Sequence, residues 1–185
     1  TLPYKCRLLT TGKNLGPATA RNLGASHANG EVLVFVGDDA LPTPGLLFHH
    51  YISHNRGWGF PLCVQGLTLW HLSLASDEFH QALFLTGLQA NWNALRDGDK
   101  WKREAPGWFL TTNCSVTRSL FESEGGFNTE YPYPAYEDID FAVRLTKRGV
   151  KTIFEPAALN LHLHRQTLDG YISRQLKEGI SRLHL

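Results

Sequence analysis

Apolar residues along the chain alternate between short continuous runs and stretches of helical spacing. Val32 to Val36 is an unbroken run of β-formers, as expected of a strand covered on both faces. Tyr4 to Leu9, Val64 to Trp70, Trp108 to Val116, Val150 to Phe154 and Leu159 to His164 read as further strands. Between them lie helical segments. Gly16 to Asn29 has Pro17 in its first turn, Ala18, Leu23 and Ala25 on one face, and Gly30 as a stop. Leu46 to His54, Ser76 to Leu95 and Leu168 to Leu183 also read as helices, and Arg118 to Glu124 as a short one ended by Gly125-Gly126. Glu137 to Arg148 is clearly amphipathic, with Ile139, Ala142, Val143 and Leu145 clustered and Gly149 at its end. Gly37 to Pro44 is turn-rich, and Arg96 to Gly107 is a polar, Gly/Pro-punctuated loop and a candidate lid. Strands separated by helices predict an α/β fold, a mostly parallel sheet flanked by helices, with no linker dividing residues 1–185. Ligands of such sheets sit beyond the carboxyl ends of the strands.

Charge then removes some functions. With 18 Lys+Arg against 17 Asp+Glu the net charge is +1, which provides no basic field for nucleic acid. Hydrophobic residues make up 42% of the 185, enough for one substantial core. The three cysteines, Cys6, Cys63 and Cys114, form no CxxC pair and fit no zinc template, so they read as reduced thiols of a cytoplasmic protein. No apolar run approaches the ~20 residues of a membrane-spanning helix, so membrane contact is expected only peripherally or through parts outside this sequence. Methionine is absent even from position 1, and Thr1 to Lys5 has no signal-peptide character; the expectation is a cut inside a longer protein.

Chemistry concentrates after the buried strand. Asp38 and Asp39 are adjacent carboxylates at its end, and a divalent cation would keep both ionised; a plain polar turn explains them equally well. In Leu161-His162-Leu163-His164 alternation puts both imidazoles on one face, where either could complete a metal shell with aspartate, or simply be solvated. Glu137, Asp138 and Asp140 open the amphipathic helix, where the macrodipole favours carboxylates and where one of them could serve as a general base. The other histidines, His50, His54 and His80 among them, lack ligand spacing and read as ordinary. The five tryptophans could platform a sugar or simply be buried.

Taken in order, these segments resemble family 2 glycosyltransferases of the GT-A (Rossmann-like) fold. Asn14-Leu15-Gly16-Pro17-Ala18-Thr19-Ala20-Arg21-Asn22-Leu23-Gly24 resembles the family's N-x-G-x-x-x-A-R-N-x-G helix, and EVLVFVGDDALP at 31–42 resembles the strand ending in its Asp-x-Asp metal motif. Gly37 stands at the first Asp, leaving Asp39 as the metal-binding counterpart and Asp38 as support. Thr112-Asn113-Cys114-Ser115, Arg118, Gly125-Gly126-Phe127-Asn128 and Tyr136-Glu137-Asp138 resemble the donor and acceptor half of the site. The resemblance implies Asp138 as catalytic base, His162 as metal ligand with His164 as its alternative, and Arg21, Trp108, Asn113 and Glu137 around donor and acceptor. It further implies Mn²⁺ or Mg²⁺, a nucleotide-diphosphate sugar with UDP first, a saccharide or glycolipid acceptor, and inverting transfer in polysaccharide assembly, in the cytoplasm or at the inner membrane face. The family's first βαβ unit has no counterpart, so a partial catalytic domain, truncated at its N-terminus, is expected. A sugar-1-phosphate nucleotidyltransferase and an inactive relic or interaction module are the alternatives.

Overall fold

The computed structural model describes residues 4–86 and 108–185. The run Val32–Val36 forms β1, and the reversed three-residue strand Ala40–Pro42 forms β2. Leu62–Trp70 is β3, Asn113–Thr117 β4 and Lys151–His162 β5, in the sheet order β1-β4-β3-β5-β2. The helices are α1 (Gly16–His27), α2 (Leu46–His54), α3 (Glu78–Thr86), α4 (Arg118–Ser123), α5 (Glu137–Lys147) and α6 (Leu168–Arg182). The α/β expectation holds, with a mixed sheet in place of a mostly parallel one: β3 and β5 run parallel, whereas β1–β4, β3–β4 and β2–β5 are antiparallel. Apolar runs report burial on two faces, and that is the same whichever way a neighbour runs.

Other boundaries shift for similar reasons. Residues 4–9 form no strand and lie exposed, because no neighbouring strand among the described residues pairs with their backbone. The turn-rich segment holds β2, which gains its hydrogen bonds only from β5. Of the expected strand over 108–116, only the part from Asn113 onward pairs. The two extended segments after α5 are one strand, broken in register where Gly66 faces Glu155 and Leu67 faces Leu159, so that Pro156, Ala157 and Ala158 bulge. A Cβ on Gly66 would lie 2.4 Å from the Asn113 amide and 2.5 Å from the Ala158 carbonyl, so glycine is required at this crossing. The candidate lid at 96–107 and the end of the expected 76–95 helix lie outside the described residues.

A phenylalanine cluster holds α1, α4 and α5 against the β1–β4 edge. Phe35, Phe109, Phe121, Phe127 and Phe141 meet edge-on or tilted at centroid distances from 5.1 to 6.2 Å, with Ala18, Val116 and Leu145 buried beside them. Asn22 of α1 clamps the loop before this cluster, its amide donating to the Phe127 carbonyl and its oxygen accepting from the Phe127 N–H.

Candidate active site

From the end of β1 the chain turns through Gly37–Ala40, closed by the Ala40 N–H on the Gly37 carbonyl at 3.2 Å. Asp38 is exposed, whereas Asp39 leans inward. The β2–β5 ladder pairs Ala40 with His162, and the Leu163 N–H donates to the Asp39 carbonyl at 2.8 Å. Asp39 Oδ2 therefore stands 3.2 Å from His162 Nε2 and 3.1 Å from His164 Nδ1, with the two imidazoles stacked 5.7 Å apart. Both histidines reach Asp39, so the structure makes no choice between them. Gly37 contributes by what it lacks: a Cβ there would sit 2.9 Å from Asp39 Oδ1.

His162 is buried against Trp70 at a centroid distance of 4.9 Å. Desolvation pushes its pKa down, only partly opposed by Asp39, so the ring is a neutral imidazole near pH 7. Among the described residues its buried Nδ1 has no hydrogen-bond partner, leaving Nε2 as the nitrogen turned to Asp39. One carboxylate and two imidazoles suit Mn²⁺ or a similar ion, and neighbouring ligands of an ion with ~2.1 Å bonds stand about 3 Å apart. Among the described residues no group of three His, Cys, Asp or Glu side chains is, as placed, arranged to hold a metal ion. Asp39 closes directly on the rings, and an ion would take the place of the protons shared there.

Asp138 belongs to the same end of the sheet. Its Oδ2 accepts from the Thr111 N–H at 3.3 Å and the Thr111 hydroxyl at 3.2 Å, and Oδ1 accepts from the Ile139 N–H at 2.9 Å. The adjoining Thr112 carbonyl receives the Gly37 N–H at 3.2 Å, so the dipeptide Thr111-Thr112 joins the base candidate to the aspartate turn. α5 starts from Tyr136, held in the left-handed region at φ 74°. Such backbone in a residue with a Cβ is uncommon and concentrates at functional sites. Glu137 is buried and paired with Arg21, Nη1 to Oε1 2.5 Å, while its Oε2 has no partner among the described residues. Desolvation and then Asp138 raise the Glu137 pKa, against the pull of Arg21. Through Nη1, Arg21 joins α1 to α5.

Residues 1–56, which carry α1, β1, the aspartate turn, β2 and α2, match the model described as Glycosyl transferase family 2. The likeness to that family's model thus rests on 56 of the 185 residues, the part that carries the aspartate turn. A pre-mycofactocin glycosyltransferase of Mycobacterium tuberculosis is 28% identical over 175 residues, 89% of this chain and 33% of that protein. The chain thus spans about a third of the length of the curated relatives it matches. Its fold is that of GT-A enzymes. A mannosyltransferase of Pyrobaculum calidifontis, solved with GDP-Man and Mn²⁺, superposes with TM-score 0.59 at 19% identity, covering 88% of this chain and 40% of that one. Glucosyl-3-phosphoglycerate synthase of M. tuberculosis, solved with Mn²⁺, UDP and glucosyl-3-phosphoglycerate, gives 0.54 at 14% identity, covering 91% and 54%.

Two of the expected donor-side residues are placed differently from the rest. Asn113 is wholly buried; its amide donates to the Leu67 and Ala158 carbonyls at 2.9 and 2.7 Å and its oxygen meets His50 Nε2 at 2.8 Å. It ties β4 to the β3–β5 bulge and offers no atom to a sugar. Trp108 is half-buried five residues upstream of β4. Thr111, His50, His54 and His80 carry contacts that sequence spacing did not reveal, since their partners are 27 to 86 residues away.

Proposed function

We propose that the chain supplies the metal, diphosphate and acceptor portion of an inverting glycosyltransferase that moves a sugar from a nucleotide-diphosphate donor, UDP-linked in the first instance, to an acceptor hydroxyl of a saccharide or glycolipid. The observation that carries this reading is the meeting of Asp39 with His162 and His164 beside a turn that also holds Asp138. Asp39 and the two histidines would hold Mn²⁺ or Mg²⁺, the ions bound in the structures of the similar enzymes. A divalent cation there supplies Lewis-acid neutralisation of the charge growing on the diphosphate as it leaves. Asp138 Oδ2 takes the proton of the acceptor hydroxyl as its oxygen attacks the anomeric carbon from the face opposite the diphosphate. The two Thr111 contacts hold that oxygen in place, and the neighbouring Glu137 stays bound to Arg21 and does not compete for the proton.

The cysteines support a reducing, cytoplasmic setting, since among the described residues all three thiols are free. Among those residues no helix is long and apolar enough to cross a membrane, so a peripheral approach to a lipid-linked acceptor is the form of contact we propose. The test is calorimetric titration of UDP with and without Mn²⁺, alongside transfer assays. Asp39→Asn should abolish the metal-dependent part of UDP binding. Asp138→Asn should keep that binding and lose transfer by about 10²–10⁴-fold. Metal-dependent UDP binding that survives Asp39→Asn, or pyrophosphate as the product, would overturn the reading.

A further inference from the structure

His80, on α3, is 2% exposed and touches neither Asp39 nor Asp138 through any hydrogen bond, yet it reaches the segment that carries both candidate metal imidazoles. Its Nε2 lies 3.1 Å from the Gln166 N and 3.3 Å from the His164 carbonyl. A backbone N–H can only donate, so Nε2 accepts from Gln166 and must be the unprotonated nitrogen. The proton then sits on Nδ1 and is donated to Asp77 Oδ1 at 2.9 Å. Asp77 also caps α3 by accepting from the His80 N–H at 2.9 Å. On its other side the His80 ring meets Trp70 edge-on at 5.7 Å, and Trp70 covers His162.

We infer that Asp77 and His80 are positioning residues for the Asp39–His162–His164 centre: Asp77 fixes the tautomer of His80, and His80 fixes the backbone at 164–166 and the Trp70 wall behind His162. This rests on the metal reading of that centre. A carboxylate that orients an imidazole is a known means of tuning a metal site when the imidazole is itself a ligand; here it acts one step further out, on the strand end that bears the ligands.

The test is Mn²⁺ binding followed by electron paramagnetic resonance, with amide exchange at Gln166 as a readout independent of catalysis. His80→Phe keeps the aromatic contact with Trp70 and removes the acceptor. Asp77→Ser keeps a helix cap and removes the carboxylate, while Asp77→Asn keeps a neutral acceptor for both donors. His80→Phe and Asp77→Ser should speed Gln166 exchange and weaken Mn²⁺ binding about tenfold, with Asp77→Asn closer to the parent. Mn²⁺ affinity unchanged in His80→Phe, in a protein whose binding is lost in Asp39→Asn, would overturn this inference and leave the metal reading standing. Binding indifferent to Asp39→Asn would overturn both. Should His80→Phe fail to fold, Asp77→Ser decides alone by the same two readouts.

Discussion

Acid should weaken this fold through one buried chain of hydrogen bonds, and a single substitution isolates the effect. Asn113 uses its amide on two carbonyls, so its oxygen must accept from His50 Nε2–H. The remaining ring nitrogen of His50 then accepts from the Ser115 hydroxyl at 2.8 Å, and the Ser115 oxygen accepts from His54 Nε2–H at 2.9 Å. These roles make the His50 ring neutral, and burial keeps that of His54 neutral near pH 7. Protonating His50 would direct an N–H at a hydroxyl oxygen that already receives one. Burial lowers both pKa values, that of His54 from 6.5 to about 4. The unfolded chain therefore binds more protons than the folded one between about pH 6.5 and 4, and stability falls as pH drops through that window. For His54 alone the loss is about 2 kcal/mol at pH 5. Glu137, whose pKa burial raises, acts in the opposite sense, so total acid stability is not the quantity to measure. The comparison is urea unfolding of the parent and His54→Gln at pH 7.5 and 5. At pH 7.5 the variant should be about 1 kcal/mol less stable for the lost hydrogen bond. By pH 5 the difference should move in the variant's favour by about 2 kcal/mol. A difference that shifts by less than about 0.5 kcal/mol between the two pH values would refute the assignment of a buried neutral His54.

Two further outcomes follow from packing. Gly66→Ala should cost at least about 1–3 kcal/mol and lower the midpoint of thermal unfolding, because the added methyl meets the Asn113 amide and a backbone carbonyl that cannot swing away; an unchanged midpoint would mean the β3–β5 crossing is looser than described. A thiol titration at pH 8 should find one fast cysteine, exposed Cys6, with Cys63, its pKa raised by burial to about 11, and Cys114 reacting only on unfolding.

Local order along the chain settled most of the elements and singled out the candidate residues. The run Val32 to Val36, the Pro17 and Gly30 punctuation and the apolar stripe of Glu137 to Arg148 each stabilise a local conformation, so β1, α1 and α5 were legible from spacing alone. The same holds for the two imidazoles on one face of an extended segment, because alternation is a property of a single strand. Strand direction was not legible, since burial on two faces looks alike for parallel and antiparallel neighbours. Nor was the commitment of Arg21 to Glu137, 116 residues away, or of Asn113 to the core, because a polar side chain's partner is chosen by what lies beside it in space. Only the tertiary structure decided that Asp39 meets both histidines: the β2–β5 register that joins them exists only once residues 40–42 and 160–162 have paired.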